Sequence, residues 1–265
     1  MRFIHLSDTH VSPHEPAFNA RARQAVREAL ALQPGFALIT GDLTQYGTTE
    51  DFALLAELLD AFDVPVHVLP GNHDVGNKPS SFTDDHVRTQ RLALYEQWAG
   101  PRYYSFEYEG LHFSCLDSNV LNSGLPTERE QRHWLADDLA AAHDARHRIL
   151  VTHYPLFWDS LEEVVNENSG YYTVEDPARH ELASLLREHT VSHYLAGHVH
   201  QLREAAHGPT RFITAPATSF SVAADESLVG YRLVVVGDDG LQCQFRQLRL
   251  PTDFRAEPPP YSPKD

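Results

Sequence analysis

Three short apolar runs separated by two amphipathic stretches occupy the first 70 residues, and they restrict the fold more than any other feature. Residues 2–7, 36–40 and 64–69 are rich in Phe, Ile, Leu and Val and too short for helices, so they read as strands. Residues 17–33 read as a helix with Ala20, Val26, Ala29 and Leu30 toward a core. Residues 49–62 read as a second helix, capped by Thr48 or Thr49 with Glu50 and Asp51 in the first turn. This β-α-β-α-β order calls for parallel strands joined by helical crossovers.

The pattern then changes. Residues 103–118 predict a hairpin turning at Glu109-Gly110, followed by a helix over 127–143, a strand over 148–153, a helix over 177–189 and a strand over 191–196. Beyond 202 only strands are expected, near 202–206, 211–214, 230–236 and 241–248, with turns at Gly208-Pro209 and Asp238-Asp239-Gly240. The fold class is α/β, and two packed sheets with helices outside accommodate this order. One domain is expected over 1–250, followed by a Pro-rich, extended tail over 251–265.

Chemistry-bearing residues follow five of the predicted strands. The first ends in Asp8-Thr9-His10, the second in Gly41-Asp42, the third in Gly71-Asn72-His73-Asp74, the fourth in His153 and the fifth in Gly197-His198-Val199-His200. The C-terminal edge of strands in an α/β sheet is where ligands bind. Alternation along extended chain puts Asp8 and His10 on one face, and likewise His198 and His200. The seven candidate metal ligands are Asp8, His10, Asp42, Asn72, His153, His198 and His200. Oxygen and imidazole donors suit Mn, Zn or Fe rather than calcium. Seven are too many for one tetrahedral site, and they suit two ions sharing a bridging carboxylate. Any one of these short motifs alone is common. The ordered set is what points to a metal centre. His5, on the first strand, reads as structural, and His14 as an outer neighbour of the site.

Composition excludes some functions. Thirty-seven acidic against 21 basic residues give a formal charge of −16, which disfavours nonspecific binding to nucleic acid and argues against a nuclease. No window approaches a membrane span, and the apolar stretch after Arg2 is too short for a secretory leader. Cys115 and Cys243 have no metal-type spacing and read as free thiols, so a cytoplasmic location is expected.

The motifs DTH (8–10), GDLTQYG (41–47), GNHD (71–74), THYP (152–155) and GHVH (197–200) together resemble the calcineurin-like metallophosphoesterase superfamily. The resemblance implies a four-layer α-β-β-α sandwich of two mixed sheets flanked by helices, with a dinuclear centre between the sheets. Asp8, His10, Asp42 and His200 would hold one ion, and Asp42, Asn72, His153 and His198 the other, with Asp42 bridging. His73 would bind no metal and would face the phosphate, stabilising or protonating the leaving oxygen. Relatives that are Ser/Thr phosphatases carry a second Asp three residues after the bridging one, and purple acid phosphatases a Tyr. This chain has Gln45 there, and resembles the class III cyclic-nucleotide phosphodiesterase and glycerophosphodiesterase branch; GNHDVGN, the stretch 103–118 and GHVHQ also resemble calcineurin-like phosphoesterase domain-containing proteins, some of them described as protein phosphatases. Asp74 is the nearest candidate by sequence to orient His73, or is structural.

The expected reaction is hydrolysis of a small phosphodiester by water made acidic by two cations. Phosphomonoester or phosphoprotein hydrolysis is the alternative, and a noncatalytic metal-holding module is a further one. The aromatic, acidic stretch 156–172 offers Phe157, Trp158, Asn166, Tyr171 and Tyr172 as a substrate wall, or else forms a solvated loop with aromatics packed inward. Lys78 and Arg203 are the basic residues closest behind a ligand motif.

Overall fold

The computed structural model describes residues 1–79, 85–164, 169–223, 225–237 and 240–249. Two sheets form its centre. The first contains β1 (Arg2–Leu6), β2 (Ala37–Thr40), β3 (Val66–Leu69), β10 (Gly230–Gly237) and β11 (Gly240–Gln247), in the order β11-β10-β1-β2-β3. β1, β2 and β3 run parallel, and β10 is antiparallel to β1. The second contains β4 (Tyr104–Tyr108), β5 (Leu111–Cys115), β6 (His147–Val151), β7 (His193–Ala196), β8 (Glu204–His207) and β9 (Thr210–Thr214), in the order β4-β5-β6-β7-β9-β8. Both sheets are mixed.

Strand alternation builds the layers. Phe3 and Leu38 of the first sheet meet Phe113, Ile149 and Val151 of the second in a core between the sheets. Their neighbours Ile4 and Ile39 turn the other way, onto α1 (Pro16–Leu30), α2 (Thr49–Leu59) and α4 (Thr89–Ala99). Leu150 turns outward onto α5 (Pro126–Ala141) and α6 (Ala178–Glu188). A strand buried on both faces reads as an unbroken apolar run, which is why 36–40 and 148–151 show no polar alternation. The result is the expected α-β-β-α sandwich.

Most predicted elements are present, and two differences bear on the site. Ala20 is exposed, and α1 instead buries Phe18, Ala22, Ala25, Val26 and Ala29. The helix α4, absent from the predicted order, packs Leu92 and Tyr95 against α2 and the core. Thr48 caps α2: its side chain accepts from the Asp51 amide, and Asp51 accepts in return from the Thr48 amide. The hairpin turns at Glu109-Gly110, both with positive φ. The tail 251–265, Asn166 and the turn residues Asp238 and Asp239 lie outside the described residues.

Candidate metal centre

The ligand loops follow the C-terminal ends of β1, β2 and β3 in one sheet and β6 and β7 in the other. A short helical turn, α3 (Asn72–Val75), carries Asn72 and His73. Loops from both sheets thus converge at one edge of the sandwich. The backbone does this differently from the simple alternation expected. Asp8, His10, Asp42, His198 and His200 all lie past the last strand residue with left-handed φ values of 54°, 49°, 47°, 66° and 51°. Left-handed backbone is costly for non-glycine residues and persists where the surroundings over-determine it. Here main-chain hydrogen bonds do so: Asp8 N to Gly41 O, His10 N to Asp42 O and Gly197 N to His153 O, at 3.0, 3.0 and 2.9 Å. Asp8 and His10 therefore converge through two left-handed residues around Thr9, not along one face of a strand.

The ligand atoms crowd together. Nε2 of His200 is 3.3 Å from Asp8 Oδ1 and 3.4 Å from His10 Nε2. His10 Nε2 is 3.7 Å from Asp42 Oδ2, and His153 Nε2 is 3.4 Å from Asp42 Oδ1 and 3.0 Å from Asn72 Oδ1. Two groups with metal-ligand spacing, Asp8-His10-His200 and Asp42-His153-His198, sit side by side, and Asp42 also groups with His10 and His73.

Main-chain carbonyls fix the imidazoles. His153 Nδ1 donates to Thr40 O, His200 Nδ1 to Phe220 O and His198 Nε2 to Tyr171 O, at 2.7, 2.9 and 3.0 Å. A carbonyl only accepts, so whenever the ring is neutral each contact sets the tautomer and leaves the other nitrogen as a lone-pair donor. For His198 that nitrogen is Nδ1, which is buried with no hydrogen-bond partner, as is Asp8 Oδ1.

Charge follows the same design. Burial would raise the Asp42 carboxyl, but His153, His73 and His10 hold it well below the usual carboxylate range. Burial opposes protonation of His153, yet Asp42 beside it raises that imidazole to about 9. His10 and His198 are pushed well down, chiefly by burial, and stay in the neutral form that ligates metals. Buried oxygen and imidazole donors with orphaned lone pairs fit divalent transition metals.

His73 stands beside the ligands. Its ring is 4.5 Å from that of His10, edge to face, and its amide donates to Asp42 Oδ1 at 2.8 Å. Nδ1 donates to the Gln45 carbonyl at 2.7 Å. The group that orients His73 is thus a main-chain oxygen. Asp74 plays a different part: its buried carboxylate accepts from Leu43 N, Thr44 N, Thr44 Oγ1 and Gly71 N, at 2.6–3.1 Å. It ties the loop after β2 to the loop after β3. Arg91 of α4 donates to the His73 carbonyl at 2.6 Å, a contact that the sequence reading missed with the helix.

The five proposed substrate-side residues separate. The Tyr171 ring is 5.0 Å from His198, while the Tyr172 ring is 6.3 Å from it. Trp158 lies under Arg203, whose guanidinium carbon is 4.2 Å from the ring centroid. Phe157 is instead a core residue, 7% exposed and 4.6 Å from Phe212. Asn166 is outside the described residues. Phe220, not anticipated, stands 4.5 Å from His200 and 5.3 Å from His10. His5 is structural, bonding Thr40 Oγ1 at 3.0 Å, and His14 is exposed, 6.4 Å from the Tyr46 ring.

A two-sheet sandwich that gathers buried carboxylates and imidazoles at one edge, with an extra histidine beside them, is the architecture of a metal-dependent phosphoester hydrolase. Residues 1–202 match the family described as calcineurin-like phosphoesterase, and the chain belongs to that family. It is 29% identical over 242 residues to the Bos taurus protein named serine/threonine-protein phosphatase CPPED1, covering 86% of this chain and 72% of the relative. It is 27% identical over 238 residues to the probable glycerophosphodiester phosphodiesterase GpdQ of Arcobacter nitrofigilis, covering 85% and 81%. A dimetal phosphatase structure from Danio rerio shares the fold, with a TM-score of 0.68 at 14% identity over 93% of this chain and 96% of that one.

Proposed function

We propose that the chain hydrolyses small phosphodiesters, of cyclic-nucleotide or glycerophosphodiester type, with two divalent ions of Mn, Fe or Zn. Asp8, His10, Asp42 and His200 would hold the first ion, and Asp42, Asn72, His153 and His198 the second. The pair supplies acidified water and neutralises the phosphate oxygens. The protein's own residues do the rest. His73, whose Nδ1–H is held by the Gln45 carbonyl, presents Nε2, and in its imidazolium form would pass the Nε2 proton to, or stabilise, the departing oxygen. Tyr171 and Tyr172 on one side and Phe220 on the other wall the site.

One observation carries the preference for diesters. Among the described residues, the cations that follow the ligand loops are committed elsewhere: Lys78 to Gly170 O, Thr173 O and Glu175, Arg91 to His73 O and Asp85, and Arg203 to Trp158 O and Asp159. A dianionic monoester needs extra cationic donors that a monoanionic diester does not. The acidity of the 156–172 stretch carries less weight than expected, because Asp159 pairs with Arg203 and Glu163 with Arg179. The likeness to a named protein phosphatase favours a monoesterase as the second reading. The test is kcat/KM for bis- and mono-p-nitrophenyl phosphate at one pH with Mn(II). A preference of about a hundredfold or more for the monoester overturns the diesterase reading. No helix among the described residues is long and apolar enough to cross a membrane. The buried Cys115 and half-buried Cys243, both free, support a reducing, cytoplasmic location.

A further inference from the structure

Lys78 is fully buried, six residues beyond Asn72 at the end of the segment GNHDVGNK. A buried ammonium is expensive unless every proton finds an acceptor. Nζ donates to Gly170 O at 2.7 Å, to Thr173 O and to Glu175 Oε1 at 3.2 Å, and it lies 4.2 Å above the centre of the Tyr154 ring. Three of these four partners belong to one segment, residues 170–175. Asn122 fastens the same segment from the other side, donating to Glu175 O at 3.0 Å.

What the segment carries gives the arrangement its meaning. Tyr171 lies between the two carbonyls that Lys78 grips. Its own carbonyl accepts from His198 Nε2, its ring lies 5.0 Å from that of His198, and Asn72 is among the groups that act on its hydroxyl. Tyr154, under the ammonium, packs its ring 4.3 Å from His198. His198 and Asn72 are both assigned to the second ion, and neither Lys78 nor Tyr171 contacts Asp8, His10 or His200 in the hydrogen bonds described. We propose that Lys78 is a positioning residue for the second metal site. By holding Gly170 and Thr173 it seats Tyr171 against His198 and Asn72, and so sets the affinity of that site apart from the first. This rests on the two-ion reading above. An apolar residue could fill the same space, but it would remove the Nζ donor from two carbonyls and a carboxylate and release the backbone on either side of Tyr171.

The test is calorimetric titration of the metal-free protein with Mn(II), with thermal unfolding of each metal-free variant alongside. The wild type is expected to show two binding events, and Asn72→Ala marks the second by weakening it selectively. Lys78→Met should weaken that same event by about tenfold or more while the first stays within about twofold, the range seen when an outer partner of a ligand is removed. Tyr171→Phe, which keeps the carbonyl, should weaken the second event less. Equal loss at both events, or loss at neither, overturns the proposal. Should Lys78→Met fail to fold, an unchanged second event in Tyr171→Phe overturns it instead. A wild type that binds fewer than two ions removes the two-ion reading and the proposal together. Two ions with an unaltered Lys78→Met profile remove the proposal alone.

Discussion

The main-chain oxygen of Gln45 lies 2.7 Å from Nδ1 of His73 and determines which nitrogen that ring turns toward the ligands. Because the acceptor belongs to the backbone, the side chain at 45 is free to differ from the Asp or Tyr of related enzymes. Gln45→Ala is therefore expected to keep kcat within about threefold of the wild type. A loss of the size produced by His73→Ala would assign the orienting role to the Gln45 side chain.

His73→Ala should retain its metals and lose about a hundredfold or more in kcat on substrates with poor leaving groups, which need most help with the departing charge. The loss should shrink for p-nitrophenolate. Comparing the slope of log kcat against leaving-group pKa in wild type and variant reads the effect. Parallel slopes would take His73 out of the leaving-group role.

Asp42 lies among His10, His73 and His153 and is the single carboxylate placed between the two ligand groups. Asp42→Ala is expected to lose both ions, whereas His10→Ala should chiefly lose the first. Metal analysis of the purified variants measures this. Two tightly held ions in Asp42→Ala would refute the bridge.

Gly71 has φ −106° and ψ 179°, a conformation open to any residue, so a substitution there tests space alone. A Cβ at this position would collide with the Asp42 amide and carboxylate. Gly71→Ala should cost about tenfold or more in metal affinity. Unchanged binding would mean that the Asp42 loop yields without consequence.

Away from the centre, His112 Nε2 bonds Asp138 Oδ2 at 2.9 Å, Ser114 Oγ donates to the same oxygen at 2.6 Å, and Glu107 lies beyond. The bond to Asp138 raises the His112 pKa above 6.5. A folded-state pKa above the unfolded value means stability that is whole below pH 6.5 and is lost as pH rises through the folded value. His112→Ala should thus cost more stability at pH 6 than at pH 9. Urea unfolding at the two pH values measures it, and equal losses would show that the pair titrates as in the unfolded chain.

The order of the five ligand loops was legible because each begins where an apolar run stops, and side-chain identity suffices to see that. Their convergence was not, since five non-glycine residues at positive φ leave no mark in a sequence. Gln45 was noticed for its side chain, while its carbonyl does the work, and a main-chain acceptor has no residue signature. Arg91 was within reach: Leu92, Tyr95 and Ala99 repeat at helical spacing, and recognising α4 would have drawn attention to its first turn. Tyr171 stands out in the sequence as an aromatic near His153, but its contacts with His198 span the fold and depend on the elements around it being in place. Phe220, in an unremarkable Ser-Phe-Ser stretch, gave no signal.

All seven proposed ligands lie between residues 8 and 200, but parts that seat Asp8 and His200 come later. Ser219 donates to the Asp8 carbonyl at 2.7 Å, Phe220 O receives His200, and β10 covers the edge of β1. During synthesis on the ribosome every proposed metal-binding side chain emerges before β10 does. Until β10 arrives, β1 offers an open edge, the kind of surface at which nascent chains pair wrongly. Among the described strands, β10, made long after β1, is thus the one that closes over it.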